Sequence, residues 1–143
     1  MAKVCWICGG LSESGEHIIK ASDIKNILGI PSQKSPIYIR TAKIKNLPIA
    51  GIKSKKLTWQ NRICKNCNNN LTAPYDKSWA KLSNYLSKIP TYLNRINLKF
   101  VFKRTYKEDI KNLQLYFVKV LGFAITNSGD NFDISSLSKA LIN

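Results

Sequence analysis

Four cysteines, one histidine and the glutamate beside it are the residues of this chain whose types and spacing could do chemistry. In order the sequence reads Cys5-Trp-Ile-Cys8, then Glu16-His17-Ile18-Ile19, then Cys64-Lys-Asn-Cys67-Asn68, and His17 is its only histidine. Two cysteines separated by two residues can both reach one tetrahedral ion, and two such pairs complete a four-sulfur shell. Such a shell leaves zinc no open position, so Cys5, Cys8, Cys64 and Cys67 are expected to hold a structural Zn²⁺ and not a catalytic metal. A redox dithiol and an iron–sulfur cluster are the alternatives, but neither pair sits in a thioredoxin-like strand-to-helix setting. The 55 residues between the pairs exceed the spacing of a compact zinc ribbon, so the insert must leave the site and return to it.

Glu16, His17 and the asparagines around the second pair suit a different chemistry. Hydrolysis of a phosphodiester needs a base for water, a hard cation to offset charge on the phosphate, and ligands to hold that cation. An imidazole, with an ordinary pKa of about 6.5, suits the base. A carboxylate and an amide oxygen suit Mg²⁺ or Mn²⁺. Adjacent side chains on a strand point to opposite faces, so Glu16 and His17 can face one metal only through a bend, a bulge or a strand end. Each residue also has a plain reading: a histidine without a role, a glutamate paired with a lysine, and an asparagine that caps a helix.

The charge narrows the partners. Lys and Arg number 23 against 8 Asp and Glu, a net +15, which four thiolates and one zinc would lower to +13. Residues 1–75 carry 12 basic and 3 acidic side chains and residues 76–143 carry 11 and 5, so the excess is spread and is not a basic tail. Such a surface fits a polyanion, with nucleic acid ahead of an anionic membrane; a lysine-rich composition without functional meaning is the plain alternative. The chain shows no signal peptide, and its most apolar stretch, Leu113 to Thr126, is short and broken by Lys119. A cytoplasmic protein without a membrane partner is expected, in a reducing compartment where paired cysteines favour metal.

The elements that must position these groups follow from periodicity. Gly9-Gly10 closes the first pair, and Glu16 to Lys20 reads as a strand edge. Ser22 caps a helix with Ile24, Ile27 and Leu28 on one face, stopped by Gly29 and Pro31. Residues 31–60 read as an irregular basic insert with a short strand at Ile37-Tyr38-Ile39. A helix is expected to start near Asn68 and to be interrupted by Pro74; Asp76 then caps one with Trp79, Leu82, Leu86 and Ile89 on one face, ended by Pro90. Residues 96–103 alternate apolar and polar, the pattern of a half-buried strand. Thr105-x-x-Glu108 reads as a capping box for a helix with Ile110, Leu113, Phe117, Val120 and Ala124 on its inner face, and Asp133 caps a last helix.

The ordered motifs Cys-x-x-Cys, Glu-His-Ile-Ile and Cys-x-x-Cys-Asn resemble the HNH endonucleases, in particular the zinc-knuckle HNH proteins of bacteria and phages, the junction-resolving type among them. The run from Cys67 to Trp79 resembles the region after the second knuckle in a subgroup of bacterial HNH proteins, and the resemblance covers roughly the first 85 residues. It implies a ββα-metal core, His17 as general base, Glu16 and Asn68 as ligands of a catalytic Mg²⁺ or Mn²⁺, Asn61 bracing the loop that holds the histidine, and products with 5′-phosphate and 3′-hydroxyl ends. The chain departs from the pattern at Lys20, where many relatives have proline, in its long insert, and in having no second histidine. Lys20, Arg62, Lys65 and Lys77 lie near the motif in sequence and are the candidate nucleic-acid contacts.

The expected fold is therefore α+β: a zinc-stapled, treble-clef-like ββα-metal core over residues 1–90, with a helix-strand-helix extension over 91–143 packed on it. The expected function is metal-dependent hydrolysis of DNA, with RNA as the other nucleic-acid substrate. A catalytically inactive zinc-bound module that binds nucleic acid or protein is the alternative. Oligomeric state stays open, a homodimer included.

Overall fold

A computed structural model describes residues 4–41, 44–61, 63–89, 96–129 and 131–143. The fold is α+β. Its elements are α1 (Ala21–Leu28), β1 (Ile37–Ile39), β2 (Leu47–Ile49), α2 (Ala73–Leu86), α3 (Leu98–Phe102), α4 (Tyr106–Ser128) and α5 (Ser135–Ile142). The chain divides into two compact units, one of residues 1–16 with 59–143 and one of residues 17–58. The elements α3, α4 and α5 share the first unit with the cysteines.

In the first unit, Ser14 pairs antiparallel with Ile63, and the Trp59 amide donates to the Glu16 carbonyl at 2.9 Å. A π-helical turn, Cys67–Leu71, then leads into α2. Pro74 does not interrupt a helix; it stands in the first turn of α2, where its missing N–H costs least. Asp76 is inside that turn and not its cap. α4 packs along α2, and α5 packs on α4. The main core joins Cys5, Ile7, Ile63, Cys67, Tyr75, Tyr116, Phe123 and Leu141. Trp59 stacks on Phe123 with ring centres 6.0 Å apart, and Trp79 stacks on Tyr116 at 5.0 Å. Gly122 admits the Trp6 ring: a Cβ there would lie 2.1 Å from the indole, so only glycine lets α4 and the first knuckle meet. A second cluster gathers Leu82, Phe102 and Leu113.

Three further expectations fail in this unit. Residues 96–103 are not a strand: Leu98–Phe102 is helical, and the Asn97 side chain accepts from the Lys99 amide at its start. One capping bond and a buried Phe102 outweigh an alternation only a few residues long. The inner face of α4 is also rotated from the one its apolar spacing suggested. Leu113, Tyr116, Lys119 and Phe123 are buried, while Phe117 is 51% exposed. Thr105 stands at the N-cap, but its hydroxyl donates to Asp109 and to the Phe102 carbonyl instead of capping. Asp133 behaves as expected, accepting the Ser135 amide at the start of α5.

In the second unit, β1 and β2 pair antiparallel with Ile37 opposite Ile49 and Ile39 opposite Leu47. Pro48 is tolerated because each strand of a two-stranded sheet has an open edge. Ile24, Ile49 and Leu57 form a small aliphatic core with Ile37 and Ile39. α1 follows Lys20, whose carbonyl accepts the Asp23 and Ile24 amides, so the helix starts without the expected Ser22 cap; Ile27 and Leu28 face solvent. His17 bridges Thr58, and the Ile18 amide donates to Leu57 at 2.8 Å.

Candidate metal centre and the groups around it

The first cysteine pair sits on a turn closed by two backbone bonds, Gly9 N–H to Cys5 O at 2.8 Å and Cys5 N–H to Gly10 O at 2.7 Å. Gly9 has φ +78, the left-handed conformation that this turn requires. The second pair straddles the start of the π-helical turn. All four Sγ atoms lie within 4.8 Å of one another, a group that could hold a metal such as zinc. Cys8 and Cys64 Sγ are 3.6 Å apart, far beyond a disulfide bond and close to the edge of about 3.8 Å that Zn–S bonds of about 2.3 Å generate in a tetrahedron. The Cys67 amide donates to Cys64 Sγ at 3.3 Å and draws that thiol below its ordinary value. Burial pushes the Cys67 thiol up, so its thiolate needs a cation beside it. The donor chemistry and spacing fit zinc.

Glu16 lies in the first unit, and its carboxylate meets an ammonium. Lys119, only 1% exposed on α4, places Nζ 3.1 Å from Glu16 Oε2 and 2.9 Å from Asp76 Oδ2. Nothing in the local sequence of Lys119 foretold its burial. The nearest signal was the scarcity of acids on this chain, which makes Glu16 and Asp76 stand out.

Asn68 donates through Nδ2 to Ser14 Oγ at 2.8 Å. The amide oxygen of Asn68 is unengaged among the described residues. Asn61 goes elsewhere. Its amide N–H donates to Asn127 Oδ1 at 2.9 Å and its Nδ2 to the Thr126 carbonyl, so it fastens the segment before Cys64 to the end of α4. Its side-chain bonds are not to the residues that flank His17.

His17 lies in the second unit, half-buried, with Nε2 3.3 Å from the Ile52 carbonyl. A carbonyl oxygen only accepts, so this contact selects the tautomer protonated at Nε2 and leaves Nδ1 with the lone pair. Of the candidate phosphate contacts, Lys20 is half-buried at the start of α1, and Lys65 is exposed and 3.7 Å from Glu13. A surface pair of that kind holds a lysine only weakly. Lys77 lines a cavity of about 600 Å³ with Asn69, Lys81, Glu108 and Asn112, above a buried Ser78–Asp109 bond of 2.6 Å. Arg62 lies outside the described residues. Among those described, no helix is long and apolar enough to cross a membrane.

The chain matches no protein-family model, and no curated protein and no solved structure is significantly similar to it.

Proposed function

We propose that this chain is a metal-dependent endonuclease of the ββα-metal type, acting on DNA in the cytoplasm, with His17 as general base. The observation that carries the reading is the His17 ring held at Nε2 by a carbonyl. That contact fixes the tautomer a base needs, with the basic nitrogen at Nδ1. The isolated antiparallel bridge between Ser14 and Ile63, followed by Cys64, Cys67 and α2, supports the reading, with the cysteine group as a site where zinc would staple the core. In the reaction, water gives a proton to Nδ1 while its oxygen bonds to phosphorus, and the bond from phosphorus to the 3′ oxygen breaks, that oxygen leaving with the bonding pair and taking a proton from solvent water. Glu16 and the Asn68 amide oxygen would hold a Mg²⁺ or Mn²⁺, which supplies charge compensation at the phosphate. Glu16 shares its carboxylate with Lys119, so it serves a metal only in competition with that ammonium.

The test is plasmid cleavage by wild type and His17→Ala, with Mg²⁺ or Mn²⁺ added or omitted; omission is preferred to chelation, which would strip zinc as well. Nicking that needs both the added metal and His17 is the expected result, with loss of at least about 100-fold in the variant. Equal cleavage by the two chains, or none by either, ends the assignment. A second reading has two specific observations in its favour. Glu16 tied to a buried lysine, and Asn61 tied to α4, are what a zinc-bound nucleic-acid-binding module without catalysis would show, and that module binds DNA without cutting it.

A further inference from the structure

The second unit has a charge distribution unlike the first. Residues 17–58 contain nine Lys and Arg and a single acid, Asp23, so 42 residues carry +8 of the chain's +15. Asp23 is 5% exposed, inside α1. Lys25, Lys34, Arg40, Lys53, Lys55 and Lys56 are all exposed, and the charged exterior of the described part of the unit is cationic throughout.

Three of these cations stand on a turn fastened beside His17. The segment Lys53 to Thr58 is closed by Ser54 N–H to Gly51 O at 3.1 Å, Leu57 N–H to Ser54 O at 2.9 Å, and Thr58 Oγ1 to Lys55 O at 2.8 Å. Leu57, 3% exposed, anchors it in the aliphatic core. Both ends are joined to the histidine segment. Ile52 O receives the His17 ring, and Leu57 O receives the Ile18 amide while Thr58 bridges His17. Among the described residues no carboxylate pairs with Lys53, Lys55 or Lys56. Exposed lysines are ordinary, and each alone is a solvated charge. Three within four positions, on a turn with its backbone bonds already made and no neutralising acid in the unit's surface, form a preorganised receptor for consecutive phosphates.

We propose that the Lys53–Lys56 turn is the phosphate clamp of this protein, gripping the backbone of a nucleic-acid strand next to His17. This inference rests on the proposed nucleic-acid substrate, and it assigns the grip to the insert and not to the lysines around the cysteines. The clamp positions and does not read sequence, since ammonium groups contact phosphates alike in every sequence.

The test uses the full zinc-bound chain without added Mg²⁺ or Mn²⁺, so that nothing is cut. Anisotropy of a labelled 30-base-pair DNA is followed across a salt titration for three proteins. They are wild type, the triple variant Lys53→Gln, Lys55→Gln, Lys56→Gln, and a control of equal charge, Lys88→Gln, Lys107→Gln, Lys111→Gln. The clamp variant should bind about 100-fold more weakly at 0.1 M salt, and its slope of log affinity against log salt should fall by about 2.7, three phosphates at 0.9 each. The control should lose less than about threefold, the share of net charge alone. Equal losses in both variants, or none in the clamp variant, overturn the proposal. So does wild type that ignores DNA and binds vesicles of anionic phospholipid, which makes the cationic face a membrane surface. Plasmid assays keep the two readings apart. If the clamp variant loses affinity and wild type never cuts, the clamp stands and the nuclease falls. If wild type cuts and the clamp variant binds and cuts like it, the nuclease stands and the clamp falls.

Discussion

Residues 1–16 and 59–143 bury four aromatic and sulfur-bearing groups of the main core around Phe123, whereas the buried core of residues 17–58 is the aliphatic cluster of Ile24, Ile49 and Leu57. All three tryptophans lie in the first unit and none in the second. The net charge runs the other way, +7 over the larger unit and +8 over the 42-residue one. A segment near 40 residues seldom has enough interior to hold itself, and the second unit's exterior is crowded with like charges that repel. The comparison separates a unit packed on aromatic rings beside a cysteine group that could hold a metal from a unit rich in like charge with little interior of its own.

Removal of the metal should break the comparison most completely. Without zinc the cysteines take up protons and the link between the two pairs is lost, and in small zinc domains the ion contributes roughly 10–16 kcal/mol of apparent binding energy to folding. The purified chain is expected to contain one zinc. Stripping it, or replacing Cys67 with serine, should abolish the cooperative melting of the tryptophan signal, which reports the first unit alone. A metal-free chain that keeps its near-ultraviolet spectrum and its sharp transition would transfer the stability of that unit to its aromatic core.

Ile49→Ala sharpens the comparison from the other side. Truncating a fully buried isoleucine costs about 2–5 kcal/mol, a large share of what so small a core supplies. The Ile18 and Leu57 amides, both hydrogen-bonded in this unit, should lose their protection from exchange. Zinc content and the tryptophan signal should stay as in wild type. Loss of the tryptophan transition in this variant would mean that the two units fold as one.

How much of this was legible in the sequence depends on how local each signal is. The cysteine pairs were readable because two-residue spacing is itself the geometry of a shared ion. α2, α4 and α5 were readable from periodicity and turn residues. α4 was oriented wrongly, because Phe117 and Ala124 looked like core and Lys119 looked like surface. Burial of a lysine is decided by Glu16 and Asp76, which lie 103 and 43 residues away, and no local pattern encodes partners at that distance. Residues 96–103 show the same limit at short range. Alternation over a few residues fits a strand or a short helix alike, and the Asn97 cap, with Phe102 buried between Leu82 and Leu113, decided it. In the insert, β1 was visible as Ile-Tyr-Ile, while its partner was hidden by Pro48. The catalytic assignments came from motif order alone, and the structure adds the local company of each residue: a carbonyl for His17, a lysine for Glu16, a hydroxyl for Asn68 and a helix end for Asn61.

The smallest effect concerns a charge inside the scaffold. Asp109, 3% exposed, accepts from Ser78 Oγ and Lys81 Nζ at 2.6 Å each and from Thr105 Oγ1 at 2.5 Å. Burial alone would raise its pKa, but the bonds from Lys81, Ser78 and Thr105 outweigh burial and hold the carboxyl below its ordinary value. A depressed carboxylate contributes stability that is complete above its unfolded pKa, about 3.9, and is lost as pH falls from there through the folded value. Asp109→Asn keeps an oxygen for one of the two hydroxyls, which bond different carboxylate oxygens, and removes the charge that faces Lys81, which is 44% exposed, so screening limits the cost to about 1–1.4 kcal/mol. Unfolding after a pH jump should therefore be about five- to tenfold faster in the variant at pH 6. That ratio should hold down to about pH 4 and close towards unity below it, as wild type takes up the proton that the variant never binds. Both chains also release zinc as their thiolates protonate, so the ratio, and not either rate, carries the information. A ratio unchanged at pH 3 would mean that the shape of the Ser78–Asp109 contact matters there and its charge does not.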